Sequence, residues 1–95
     1  MDAELQKAVT GLDETREKLR GEVTAPLRAG RGRFPETDEH LLLGALAGVV
    51  ESLQELADIA LERRNANWHA WSAHTHLKDA ASLLRDGEQR AGRNA

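Results

Sequence analysis

The chain contains no cysteine, which removes disulfides, thiolate metal ligands and cysteine nucleophiles from consideration. Any metal site would have to be built from histidine and carboxylate. Aromatic residues are scarce: one Phe (Phe34), two Trp (Trp68, Trp71) and no Tyr among 95 residues, with Ile59 the single isoleucine. So few aromatic and β-branched side chains, set against abundant Ala, Leu, Glu and Arg, favour helices over strands. No apolar run approaches the roughly eighteen residues of a membrane span. The first residues, MDAELQKAVTG, carry acidic groups where a secretory leader carries basic ones. The expectation is therefore a cytoplasmic protein that does not enter a membrane. Neither sign of charge dominates, because the formal net charge is -3, and so balanced a chain has no overall nucleic-acid footprint. The two prolines both fall between residues 21 and 36, which leaves the rest of the chain free of its strongest helix breaker.

What the chain does have is helical periodicity. Leu5, Val9, Leu12, Leu19 and Val23 follow alternating spacings of four and three, with Arg16 in the slot between Leu12 and Leu19. This predicts an amphipathic helix over residues 3–20, which Gly21 and Pro26 should end. Residues 21–36, GEVTAPLRAGRGRFPE, hold both prolines and three glycines and read as a linker, long for a bundle connection. Thr37 and Asp38 are N-cap candidates for a second helix over 38–64. On it Leu42, Leu46, Val49, Leu53, Leu56 and Ala60 form the face expected to point inward, flanked by Leu43, Val50, Ala57 and Leu61. Glu51, Glu55, Asp58 and Glu62 form an acidic ridge expected to face solvent. Asn65 and Asn67 suggest a tight turn, though the pattern also admits one continuous helix. A third helix is expected over 68–87 with Ala70, Ala73, Leu77, Ala80, Ala81 and Leu84 inward, ended by Gly87, and residues 88–95 should fray. There is no internal repeat. The predicted fold is a single all-α domain, a small three-helix bundle whose last two helices form an antiparallel hairpin with the first alongside.

A domain this short buries only about 60% of its unfolded surface, so association would help it. The stretch LLLGALAGVV is apolar on every side of its helix. Within it Gly44 and Gly48 share a side with Leu41 and Ala47, and small residues four apart let another backbone approach closely. That side is either a partner groove or the place where another helix of the same chain packs. Trp68 and Trp71 point away from the inward stripe of the third helix, and exposed tryptophans often mark contact surfaces. They equally suit covering the hairpin turn. His69 and His76 share a flank with Asp79 one turn further, a spacing that would seat a metal only if a carboxylate from the second helix joined them. Solvated histidines are the plainer reading, and no cofactor is expected.

Two short motifs resemble known families. Arg64 and His69 enclose four residues in RNANWH, which resembles the Arg-x4-6-His motif of HEPN ribonucleases. The resemblance covers six residues and implies a small all-helical dimer, with His69 in acid–base cleavage of RNA and Arg64 stabilising phosphate charge. Arg33 and His40 satisfy the same spacing. Arg28, Arg31 and Arg33 in PLRAGRGRFP include an Arg-Gly-Arg core that resembles the AT-hook, with Gly30 and Phe34 standing where that motif has prolines. It implies contact with the DNA minor groove.

The expectation carried forward is an interaction module and not an enzyme. Its partners would be a second copy of the chain and a further protein, and Leu41, Gly44, Ala47, Gly48, Trp68 and Trp71 are its candidate contact residues. The alternative is a ribonuclease or nucleic-acid binder using Arg64, His69 and the arginines of the linker.

Overall fold

The computed structural model describes residues 2–30, 32–63 and 68–94, with backbone alone at 63, 68, 70 and 94. The protein is all-α, and no strand occurs among the described residues. Two compact units, Met1–Arg33 and Phe34–Ala95, divide the chain.

The first unit opens with α1 (Ala3–Leu19). Asp2 caps it, its carboxylate accepting from the backbone N–H of Glu4 at 2.7 Å and of Leu5 at 3.4 Å. The expected stop at Gly21 does not occur. A π-helical turn (Arg20–Thr24) follows directly and leads into α2 (Ala25–Ala29). Proline explains the turn: Pro26 has no N–H, and its ring would collide with the carbonyl four residues back in a regular α-helix. The Ala25 N–H reaches instead to the Arg20 carbonyl, five residues back, and this wider turn lets the chain pass the proline still helical. The linker thus shrinks to the residues after Ala29. There Gly30 is extended and Gly32 takes a φ of 95°, a conformation open to glycine and costly for other residues.

The second unit is a helical hairpin of α3 (Glu36–Arg63) and α4 (Trp68–Asn94). Its contacts run antiparallel, with His40 beside Glu88 and Asp58 beside His74. The two helices are therefore separate, as a turn requires. The expected turn residues Asn65 and Asn67 lie outside the described residues. α3 starts at Glu36, two residues before the predicted start at 38, with the Glu39 N–H bonded to the Pro35 carbonyl at 2.9 Å. α4 runs seven residues beyond its expected end at Gly87. Tertiary contact holds those last turns: a Leu43 methyl lies over Gly87, the His40 ring lies over Gly92, and Ala91 is buried. A glycine covered by a neighbouring helix is a close-approach position and not a terminator.

Candidate interaction surfaces

The hairpin is held by small residues and polar pairs. Among the described residues only Ala47, Ala81 and Ala91 are buried, and all three are alanines. Gly44 lies under the Glu88 carboxylate, so closely that a Cβ there would collide with it. Arg85 joins the two helices with a two-pronged grip on Glu51, Nη2 to Oε1 at 2.6 Å and Nε to Oε2 at 3.2 Å, while its Nη1 donates to Glu88 at 3.0 Å. The planar guanidinium suits such paired donation. The hydrogen bond from Arg85, then its charge, holds the Glu51 carboxyl below the ordinary glutamate range, and the same contact raises Arg85. Burial works against both shifts and is second in size only to that hydrogen bond. His40 donates from Nδ1 to the Glu88 carbonyl at 2.8 Å, and a carbonyl can only accept, which fixes the proton on Nδ1. Nearer the turn, His74 Nε2 meets Asp58 at 2.5 Å.

These contacts correct the predicted rotation of α3. The acidic ridge is not wholly solvated, because Glu51 and Asp58 face α4 while Glu55 and Glu62 remain exposed. The face expected inward is largely open: Leu46, Val49, Leu53 and Leu56 are each 40–46% exposed. The residues expected as its flank, Leu43, Val50, Ala57 and Leu61, lie on the half-buried side. On α4, Leu77, Ala80, Ala81 and Leu84 are partly or fully buried as expected, whereas Ala73 is exposed and His74 takes an inner position. Ala70 lies outside the described side chains.

The proposed contact residues separate accordingly. Ala47 and Gly44 are taken up by the hairpin, so the close approach that small residues permit is made within the chain. Gly48 is partly exposed, with nothing within 4 Å of an added Cβ, and Leu41 is 64% exposed. Trp71 is 58% exposed, and the side chain of Trp68 lies outside the described residues. The first unit repeats the pattern of the open α3 face, with Leu5, Val9, Leu12, Leu19 and Val23 all exposed.

Of the RNANWH motif, Arg64 lies outside the described residues and His69 stands exposed in the first turn of α4. Arg28 and Arg33 are exposed, and Arg31 is outside the described residues. His69, His76 and Asp79 are exposed, and no cluster of three or more metal-ligating side chains occurs among the described residues. No helix among them is long and apolar enough to cross a membrane.

The polar pairs across the hairpin were missed by periodicity, yet a signal for them exists. Counting outward from position 66, Asp58 mirrors His74, Gly44 mirrors Glu88 and His40 mirrors Gly92, and each pair meets in the structure. Once a turn is placed, equal distances from it predict cross-helix neighbours.

No protein-family model, curated protein or solved structure matches this chain.

Proposed function

We propose that this protein is a small helical interaction module that self-associates and acts as a regulator, inhibitor or adaptor by occupying a partner protein, without catalysis of its own. One observation carries the reading: the described residues bury nothing larger than alanine, while two leucine-rich stripes stay open. A stable water-soluble chain rarely leaves extended apolar stripes uncovered, and surfaces of this kind commonly serve as contacts. The proposed setting is the cytoplasm, in keeping with a chain that has no cysteine to form disulfides. Light scattering at micromolar concentration tests the reading, and the expected mass is that of a dimer. A monomer that stays folded on dilution would overturn it. Absence of catalysis is checked by RNA cleavage with the wild type beside His69→Ala. Both should be inactive, and metal-independent cleavage lost in the variant would establish a ribonuclease instead.

A further inference from the structure

Between α2 and α3 the described backbone leaves the helical form. Gly30 is extended, with ψ of 161°, and Gly32 takes its φ of 95°. The two hydrogen bonds at the margins, Gly30 N–H to the Pro26 carbonyl at 3.2 Å and Glu39 N–H to the Pro35 carbonyl, belong to the helix ends. Gly32, Arg33 and Phe34 make no backbone hydrogen bond among the described residues, and the side chains of Arg33 and Phe34 are exposed.

An endoprotease takes its substrate as an extended strand, so a helical peptide bond is cut only after the helix opens. Extended backbone is bound nearly as it stands. Glycine passes between positive and negative φ at little cost, so Gly32 does not hold the segment in one form. Short exposed connections of small and polar residues are accordingly where chains are nicked.

The residue before the bond selects the class of protease. Arg33 precedes Phe34, and a guanidinium in that position suits an acidic specificity pocket. Proline stands one place further on, at Pro35, so the Arg33–Phe34 bond is an ordinary secondary amide. Arg16, Arg20, Arg28, Lys78, Arg85 and Arg90 lie inside helical segments, where cutting waits for local opening. The division into compact units falls at the same bond, one unit closing at Arg33 and the other opening at Phe34. The hairpin contacts of Arg85 with Glu51, His74 with Asp58 and His40 with the Glu88 carbonyl all lie beyond it.

We propose that the Arg33–Phe34 bond is a processing site for an arginine-directed endoprotease. Water adds its hydroxyl to the Arg33 carbonyl carbon and a hydrogen to the Phe34 nitrogen as the bond between them breaks. One product, Met1–Arg33, then ends in a carboxylate, and the other, Phe34–Ala95, begins with an amine. The bond from the Glu39 N–H to the Pro35 carbonyl, which starts α3, survives the cut. Self-association is not needed for this reading.

Limited digestion of the full chain with trace trypsin tests it, followed over time by intact mass and N-terminal sequencing. The wild type is run beside Arg31→Gln, in which Arg33 is the last arginine between α2 and α3. The first product should begin at Phe34 in Arg31→Gln, and at Gly32 or Phe34 in the wild type. It should form about tenfold faster than any cut inside Ala3–Leu19 or Trp68–Asn94, since those bonds must first be opened. A chain carrying both Arg31→Gln and Arg33→Gln, with wild-type helicity by circular dichroism, should lose that product. A first product beginning at Ala29 would show α2 opening before the connection is used, and would overturn the proposal. So would one beginning at Arg64 or Asn65, which places the most open bond in the hairpin turn. Digestion of the doubly substituted chain at the wild-type rate overturns it as well.

Discussion

The two faces of α3 are built on opposite principles. The face toward α4 sets half-buried Leu43, Val50 and Leu61 among small and polar residues: Gly44 and Ala47 let the helices approach closely, and Glu51, Asp58 and His40 fix their rotation. The opposite face carries Leu46, Val49, Leu53 and Leu56 and remains open. Hydrophobic content therefore does not by itself choose the partner face of a helix. α4 sets Ala81, Gly87 and Ala91 beside Leu77 and Leu84 along its inner side, and its small residues let the small residues of α3 come close. Directional polar contacts then select one rotation among several of similar apolar burial.

The sharpest way to break this comparison is to exchange bulk between the faces. Ala47 is fully buried, so Ala47→Leu should force the helices apart and cost about 1–3 kcal/mol, the usual range for overpacking. Chemical denaturation should report that loss at every protein concentration. Leu53→Ala, on the open face, should leave a dilute hairpin helical and weaken the dimer by roughly tenfold, since each copy forfeits the burial of a partly exposed leucine. If Leu53→Ala destabilises a dilute monomer as much as Ala47→Leu does, the two faces are not distinct.

A smaller effect separates the two glycines. An added Cβ at Gly48 meets nothing within 4 Å, so Gly48→Ala should stabilise by about 0.5–1 kcal/mol through the helix preference of alanine. Gly44→Ala should lose that gain, because the new methyl displaces the Glu88 carboxylate and loosens its bond to Arg85. Equal melting shifts for the two would contradict the placement of Gly44 in the hairpin.

The smallest effect is the pH dependence of Glu51. Its carboxyl is held below the ordinary glutamate value, so its contribution is complete above that value and fades as pH falls through the lowered one. Glu51→Gln should accordingly melt below wild type at neutral pH and converge with it under acid conditions. The gap should narrow with salt, because the pair is well exposed. Glu55→Gln, on the exposed part of the ridge, should show no such gap. A pH-independent difference for Glu51→Gln would mean that the hydrogen bond to Arg85 is not what the substitution removes.

Much of the fold was legible in particular residues. The 4-3 spacing of Leu5 to Val23 announces α1, and the loss of pattern near Asn65 announces two helices where one continuous helix was also compatible. Stops were misread where glycine and proline were taken at face value: Pro26 is passed by a π-helical turn, and Gly87 is covered by Leu43. A breaker acts through local geometry, which a widened turn or a neighbouring helix can satisfy by other means. Of the expected contact residues, Leu41 and Trp71 stand exposed, whereas Gly44 and Ala47 are enclosed. Small size suits a helix for either kind of partner, and sequence spacing does not say which.

The sequence by itself determined that this protein is helical, where its three long helices lie, and that its stripes carry a 3.5-residue repeat, because these follow from local propensity and from a pattern read along one element. Only the tertiary structure decided which side of α3 meets α4 and how far α4 extends. Those outcomes depend on pairs distant in the chain, Arg85 with Glu51, His74 with Asp58 and His40 with the Glu88 carbonyl, whose energies come from direction and distance and leave no period in the sequence.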